Sequence, residues 1–167
     1  MKLQTRKIVT AAMFASLICV ATMIIKIPSP LNGYINLGDS ILLLAAWLLP
    51  PAYGALAAGI GSSLADLFLG YGSYAVATFI IKALMSLSAY FSYKLLHKKT
   101  GIMPALILSS TLAEILMVAG YYLYEGILLY GFVSSAVNIP ANAVQGFAGI
   151  VIGTLLYKIL NKNKLFK

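Results

Sequence analysis

Several polar side chains stand where a hydrocarbon environment is expected. Lys82 and Glu114 lie inside long apolar runs, and Asn138, Asn142 and Gln145 recur at i, i+4 and i+7, a spacing that places them on one helix face. By the same rule Glu114, Met117 and Tyr121 share a face. A charge at a bilayer centre costs ~2.5–3.5 kcal/mol on insertion scales, so such residues face protein or water and mark function. Lys82, about eight residues or ~12 Å below its helix end, falls at the depth of Glu114 and Asn142. Above this layer Tyr121, Asn138, Asp66, Asn36 and Asp39 form a cup open to one side. Fixed polar groups within aromatic and apolar walls suit a small polar aromatic ligand. Each residue also has a structural role open to it. The amides can act as interhelical glue worth about 0.6–2 kcal/mol, Asp39 can cap its helix, and Asp66 can form an ion pair with Lys82.

Other chemistries lack their residues. The single cysteine, Cys19, sits in the first apolar run, and the single histidine, His97, lies among Lys94, Lys98 and Lys99. A disulfide or a cysteine metal site within the chain is therefore excluded, and zinc binding and Ser-His catalysis are not expected. Asp39, Asp66, Glu114 and Glu125 are spread over four helices, so no acid pair or metal cluster forms. The chain has no phosphate-binding Gly-x-x-x-x-Gly-Lys-Ser/Thr loop, so it does not hydrolyse ATP. It is expected to be no enzyme and to carry no cofactor.

The elements that hold these residues follow from composition. The 167 residues are 61% hydrophobic and 10% charged, with a mean hydropathy of +0.93, against about 25% charged in soluble domains. The net charge of +8 is no nucleic-acid signature, because the basic residues flank apolar runs. The pattern is that of an all-α polytopic membrane protein in one domain, 1–167, with the lipid bilayer as its solvent. A span needs about 20 residues, and the breaks give six helices at 5–27, 38–50, 51–69, 74–96, 103–125 and 133–158. Pro50-Pro51 joins the second and third, which form either two tilted spans or a re-entrant hairpin. His97 to Gly101 reads as a polar connection. Lys2, Arg6, Lys7, Lys94, Lys98, Lys99, Lys158, Lys162, Lys164 and Lys167 fall on one face, whereas the other face has Lys26. Both termini are therefore expected in the cytoplasm of a multi-pass cell-membrane protein, with the cup facing outside.

Small residues recur at four-residue spacing in Ala11/Ala15, Ala55/Gly59, Gly61/Ala65 and Gly149/Gly153, which lets another helix approach closely.

The runs Lys26-Ile27-Pro28, Gly33-Tyr34-Ile35-Asn36-Leu37-Gly38-Asp39, Tyr53-Gly54-Ala55-Leu56-Ala57-Ala58-Gly59-Ile60-Gly61-Ser62-Ser63-Leu64-Ala65-Asp66 and Ala77-Thr78-Phe79-Ile80-Ile81-Lys82 together resemble the S component of energy-coupling factor (ECF) transporters. The resemblance covers residues 5–95 by motif and the rest by topology. It implies a six-helix subunit that binds a vitamin with high affinity from outside. It also implies docking on a membrane coupling subunit that carries two cytoplasmic ATPase subunits, whose ATP hydrolysis topples the S component. By the resemblance, Ala11 and Ala15 face the coupling subunit. The loop at 28–37, with Asn32, Tyr34 and Asn36, covers the site, and the pocket lies in the outer half among helices 4–6. The expected binding residues are Asn36, Asp39, Lys82, Glu114, Tyr121, Asn138 and Asn142, with Tyr121 or Tyr74 stacking on the ligand. One lysine, one or two acids and several amides favour a small hydroxylated heteroaromatic ring: hydroxymethylpyrimidine or a vitamin B6 form first, riboflavin next. The alternative is an autonomous secondary transporter or channel. That class favours paired halves, whereas Pro50-Pro51 finds only a weak echo at Pro140.

Overall fold

The computed structural model describes residues 2–31 and 33–162; Asn32, Lys164 and Lys167 lie outside the described residues. α1 spans Lys2–Ile24. It ends three residues earlier than the hydropathy suggests, because Ile27 precedes a proline and is driven extended. The expected loop holds a short antiparallel pair: β1 (Ile27–Pro28) meets β2 (Tyr34–Ile35) with Ile27 opposite Ile35 and Pro28 opposite Tyr34.

α2 (Gly38–Leu48) has only 11 residues, about 16 Å of rise, too little for a full span. It stops because Leu49, before Pro50, is extended at φ −99°, ψ 157°. Pro51 then opens α3 (Pro51–Phe68) as its first helical residue, where a missing N–H costs nothing. α2 is the centre of the molecule, packed by α1, α3, α4 and α7, which explains why it is apolar beyond its first turn, where Asp39 and Ser40 stand. Leu42 and Leu43 are fully buried there, with Ile18, Met85, Leu106 and Met117.

α4 (Gly72–Thr100) runs straight through the segment expected as a polar connection. His97, Lys98 and Lys99 are compatible with helix and favour its negative C-terminal end. The stop is Gly101 alone, at φ 85°. α5 (Ile102–Tyr124) continues into a π turn at Glu125–Leu129, closed by Tyr130 N–H on the Glu125 carbonyl at 2.8 Å. α6 (Phe132–Ser135), a 3₁₀ turn at Ala136–Asn138 and α7 (Ile139–Lys162) make one long rod. The tighter turn precedes Pro140 and removes the ring's clash with a preceding carbonyl.

Four helical rods, Leu3–Ile24, Gly72–Thr100, Ile102–Leu129 and Phe132–Asn161, are long and apolar enough to cross a membrane. α2 and α3 form the shorter pair. Glycines set the close approaches. A Cβ on Gly61 would strike the Ala15 carbonyl of α1, and one on Gly59 would lie 2.9 Å from the Phe79 ring of α4. One on Gly149 would lie 3.1 Å from the Asp39 Cβ, and one on Gly153 3.1 Å from the Ser40 carbonyl, both on α2. One end of the bundle carries Trp47, Tyr93 and Tyr157 in mutual ring contact, near the basic C-terminal turn of α4. The polar cavity opens at the other end.

Candidate functional site

A cavity of about 530 Å³, counting its open mouth, lies beneath the 27–35 hairpin at the C-terminal ends of α1, α3 and α5 and the N-terminal ends of α4 and α7. Its floor is a relay of committed polar groups. Lys82 Nζ forms a short ion pair with Asp39 Oδ1. Gln145 Nε2 donates to Asp39 Oδ2 at 2.6 Å. The Gln145 carbonyl accepts from Asn36 N–H at 3.0 Å and Asn36 Nδ2 at 3.1 Å, and Asn36 Oδ1 accepts from Gly38 N–H at 2.9 Å. Burial this complete is tolerable because each of these charges and amides meets a partner. The ammonium also stands 5.6 Å from the Tyr121 ring centroid.

The walls are aromatic and acidic. Tyr34 OH donates to Asp66 Oδ1 at 2.6 Å, and the Tyr34 and Tyr71 rings lie 4.9 Å apart. Burial first, then the Asp66 charge, push the Tyr34 phenol above its usual range, so it stays a donor through the physiological range. Tyr74 OH donates to Glu125 at 3.1 Å, and Asn138 Nδ2 donates to both Glu125 oxygens at 3.0 and 3.1 Å. Tyr121 OH donates to Thr78 Oγ1 at 3.1 Å. The hairpin is tied down by Leu31 N–H on Asn138 Oδ1 at 3.3 Å, beside the Tyr34 and Asn36 bonds.

Asn36, Lys82, Tyr121, Asn138 and Asn142 line this cavity. Asn142 has no hydrogen-bond partner among the described residues. Asp39 lies one layer deeper and reaches the cavity only through Lys82 and Gln145. It is no helix cap, since Leu37 occupies that position without a side-chain bond. The Asp66–Lys82 ion pair does not form: Lys82 turns to Asp39, and Asp66 takes the Tyr34 hydroxyl. Glu114 shares the floor's neighbourhood but does not line the cavity. Its carboxyl faces Gly146 and Gly149 of α7, and neither oxygen has a hydrogen-bond partner. Equal depth along two helices said nothing about the direction each side chain takes around its axis. Glu125 stands four residues beyond Tyr121, on the face of α5 that also carries Glu114, Met117 and Tyr121, so helical spacing marks it as a cup residue although its place at the helix end suggests only a boundary. Thr22, Ser62 and Tyr71 also line the cavity; of these only Ser62, one helical turn before Asp66, is marked by periodicity.

A second, apolar groove runs between α1 and α3, lined by Ala11, Ala15, Tyr53, Leu56, Ile60 and Phe68. The two alanines keep its α1 wall low.

Comparison with known proteins agrees with this architecture. Residues 2–162 match the model of the family described as ECF-type riboflavin transporter, S component. An "uncharacterized protein in gap 3′ region" of Pyrococcus woesei is 37% identical over 147 residues, 87% of this chain and 95% of that protein. The solved S component of a bacterial ECF transporter superimposes with a TM-score of 0.72 at 25% identity, covering 98% of this chain and 99% of that one. The biotin S component of an ECF-type ABC transporter shares the fold, with a TM-score of 0.55 at 21% identity over 94% and 93% of the two chains. The chain is thus a member of the ECF-type riboflavin transporter S-component family, a family of transporter subunits and not of enzymes.

Proposed function

We propose that this chain captures riboflavin at the outer face of the cell membrane and delivers it inward as the substrate-binding subunit of an ECF complex. The family match carries this reading; it supports riboflavin over the single-ring ligands favoured by residue types alone. Aromatic rings of Tyr34, Tyr71, Tyr74 and Tyr121 supply flat walls, and Asn138 and Asn142 supply amide edges. Lys82 and Asn36 form the floor that a ligand meets; Asp39 acts through Lys82, and Glu114 drops out of the set.

Orientation follows from charge. Arg6, Lys7, Lys94, Lys98, Lys99 and Lys158 gather at the end away from the cavity, so the positive-inside rule puts both termini in the cytoplasm and the cavity outside. On this reading the four long rods traverse the bilayer, and α2 and α3, joined at Pro50-Pro51, form a short pair that returns the chain to the same side. The α1/α3 groove with Ala11 and Ala15 is the face for the membrane coupling subunit, and two partner ATPases supply the ATP-driven toppling.

Much of the cavity volume lies at the open mouth, which favours a one-ring vitamin as second reading, hydroxymethylpyrimidine or a B6 form. Calorimetric titration of the detergent-solubilised chain with riboflavin, hydroxymethylpyrimidine, pyridoxal and pyridoxine decides between them. Saturable, tight heat with riboflavin alone is the expected result. Tight binding of a one-ring compound instead overturns the ranking, and silence across the panel overturns capture of each of these four compounds.

A further inference from the structure

The charge budget of the cavity wall limits what it accepts, provided that the cavity is the substrate site. Two carboxylates, Asp66 and Glu125, line it. Glu125 accepts at both oxygens, from Tyr74 and Asn138, the arrangement of an ionised, acceptor-only carboxylate, and Asp66 accepts from Tyr34 at Oδ1. The lysine in the lining, Lys82, is already neutralised by Asp39. Lys26, 5.3 Å from the Tyr71 ring centroid, is exposed at the mouth, where water screens it.

Two buried polar atoms of the wall are left over. Asp66, 5% exposed, has no hydrogen-bond partner at Oδ2, and Thr22, 3% exposed, has none at Oγ1. Thr78 lies beside Asp66 and interacts with its carboxylate, but outside hydrogen-bond geometry with Oδ2. A buried acceptor without a donor is costly, and in a cavity wall a ligand's N–H or O–H removes that cost. Other unpartnered buried side-chain atoms belong to Ser86 and Glu114, which do not line this cavity.

We infer that the site is selective by charge: it accepts an uncharged or cationic ligand that presents a hydrogen-bond donor to Asp66, and it rejects the phosphorylated or carboxylated anion of the same framework. Like charges brought together in a partly desolvated wall repel strongly, and no free cation in the described lining offsets them. Asp66 is the specificity-determining residue, with Tyr34 holding it in place.

Two measurements test this. In a Cys19→Ser background, Ser62→Cys places a thiol one helical turn from Asp66. It is treated with a trimethylammonium and a sulfonate methanethiosulfonate reagent, each rate normalised to a free thiol. The cationic reagent is expected to react ~10-fold faster, and adding Asp66→Asn is expected to bring the ratio towards one. In parallel, riboflavin, pyridoxal and hydroxymethylpyrimidine are each titrated against their phosphate esters. Whichever parent compound binds should exceed its ester by ~10-fold or more, a gap that Asp66→Asn narrows. An ester that binds as well as its parent, or a gap unmoved by Asp66→Asn, overturns the charge inference and leaves substrate capture standing. Cation preference at the thiol with no parent compound bound supports the charge inference and overturns the vitamin assignment. If the thiol resists both reagents and nothing binds, the cavity is no ligand site and both readings fall.

Discussion

The floor and the wall of the cavity are both polar, both buried and only a few ångströms apart in the bundle, yet they are built on opposite rules. In the floor every strong group is spent: Lys82 on Asp39, Asp39 on Gln145, Gln145 on Asn36, Asn36 on the backbone of Gly38. In the wall, Asp66 and Thr22 keep atoms with no partner, and Asn142 makes no bond within the described residues. The floor fixes α2, α4 and α7 against one another; the wall holds unmade bonds in reserve for a ligand. Burial and polarity alone do not separate the two, whereas partner accounting does.

The sharpest way to break this comparison is to open the floor. Lys82→Met leaves the Asp39 carboxylate buried without its counter-charge, and removing one partner of a buried pair costs about 3–5 kcal/mol. The thermal midpoint in mild detergent should fall steeply. Asp39→Leu together with Lys82→Met removes the orphan charge and should recover most of the loss. A double variant as unstable as the sum of the two single changes would show that the pair does not hold the helices.

The next effect has the opposite sign. Glu114 is buried at 4% exposure with neither oxygen bonded, packed on Gly146 and Gly149 rather than on the cavity. Removing an unsatisfied buried polar group relieves about 1–3 kcal/mol. Glu114→Leu is therefore expected to raise the melting temperature and leave riboflavin binding unchanged. Loss of binding at normal stability would return Glu114 to the ligand site.

Glu114 also shows how far the sequence carries. Helix number, the proline break between α2 and α3, and the glycine stripes could be read directly, because hydropathy and proline sterics act locally. Placing Lys82 and Glu114 near one depth needed only the rise per residue. Choosing Asp39 rather than Asp66 as the lysine's partner needed the azimuth of three helices at once, which tertiary packing decides. Glu125 enters the cavity on the same α5 face as Tyr121, which stands four residues before it, so its spacing was legible although its place at a helix end pointed only to a boundary. Lys98 and Lys99 read as a loop by polarity, although the helix they extend is stabilised by that same charge.

A smaller change addresses the wall. Asn142→Ala removes an amide that bonds nothing in the free protein, so stability should hold within about 0.5 kcal/mol. Riboflavin affinity should drop by up to ~10-fold, the worth of one hydrogen bond of about 0.5–1.5 kcal/mol. Unchanged affinity together with a lower melting point would make Asn142 interhelical glue and move it from the wall's rule to the floor's.

The smallest expected effect on either polar layer comes from the α1/α3 groove, which touches neither. Ala11 and Ala15 line it with their small side chains, half-buried against α3, and Ala11→Trp fills it from the outside while leaving Lys82, Asp39 and Asp66 untouched. Purified, the variant should bind riboflavin as the parent chain does and melt at nearly the same temperature. Reconstituted with its coupling and ATPase subunits in vesicles, it should lose ATP-dependent uptake, because a tryptophan at a small-residue stripe prevents the close helix approach such a stripe allows. Uptake at the parent rate would remove the groove from the docking surface. Lost binding would mean that groove and cavity are coupled through α1, whose Thr22 lines the wall two turns beyond Ala15, and the separation of a binding end from a docking face would fail with it.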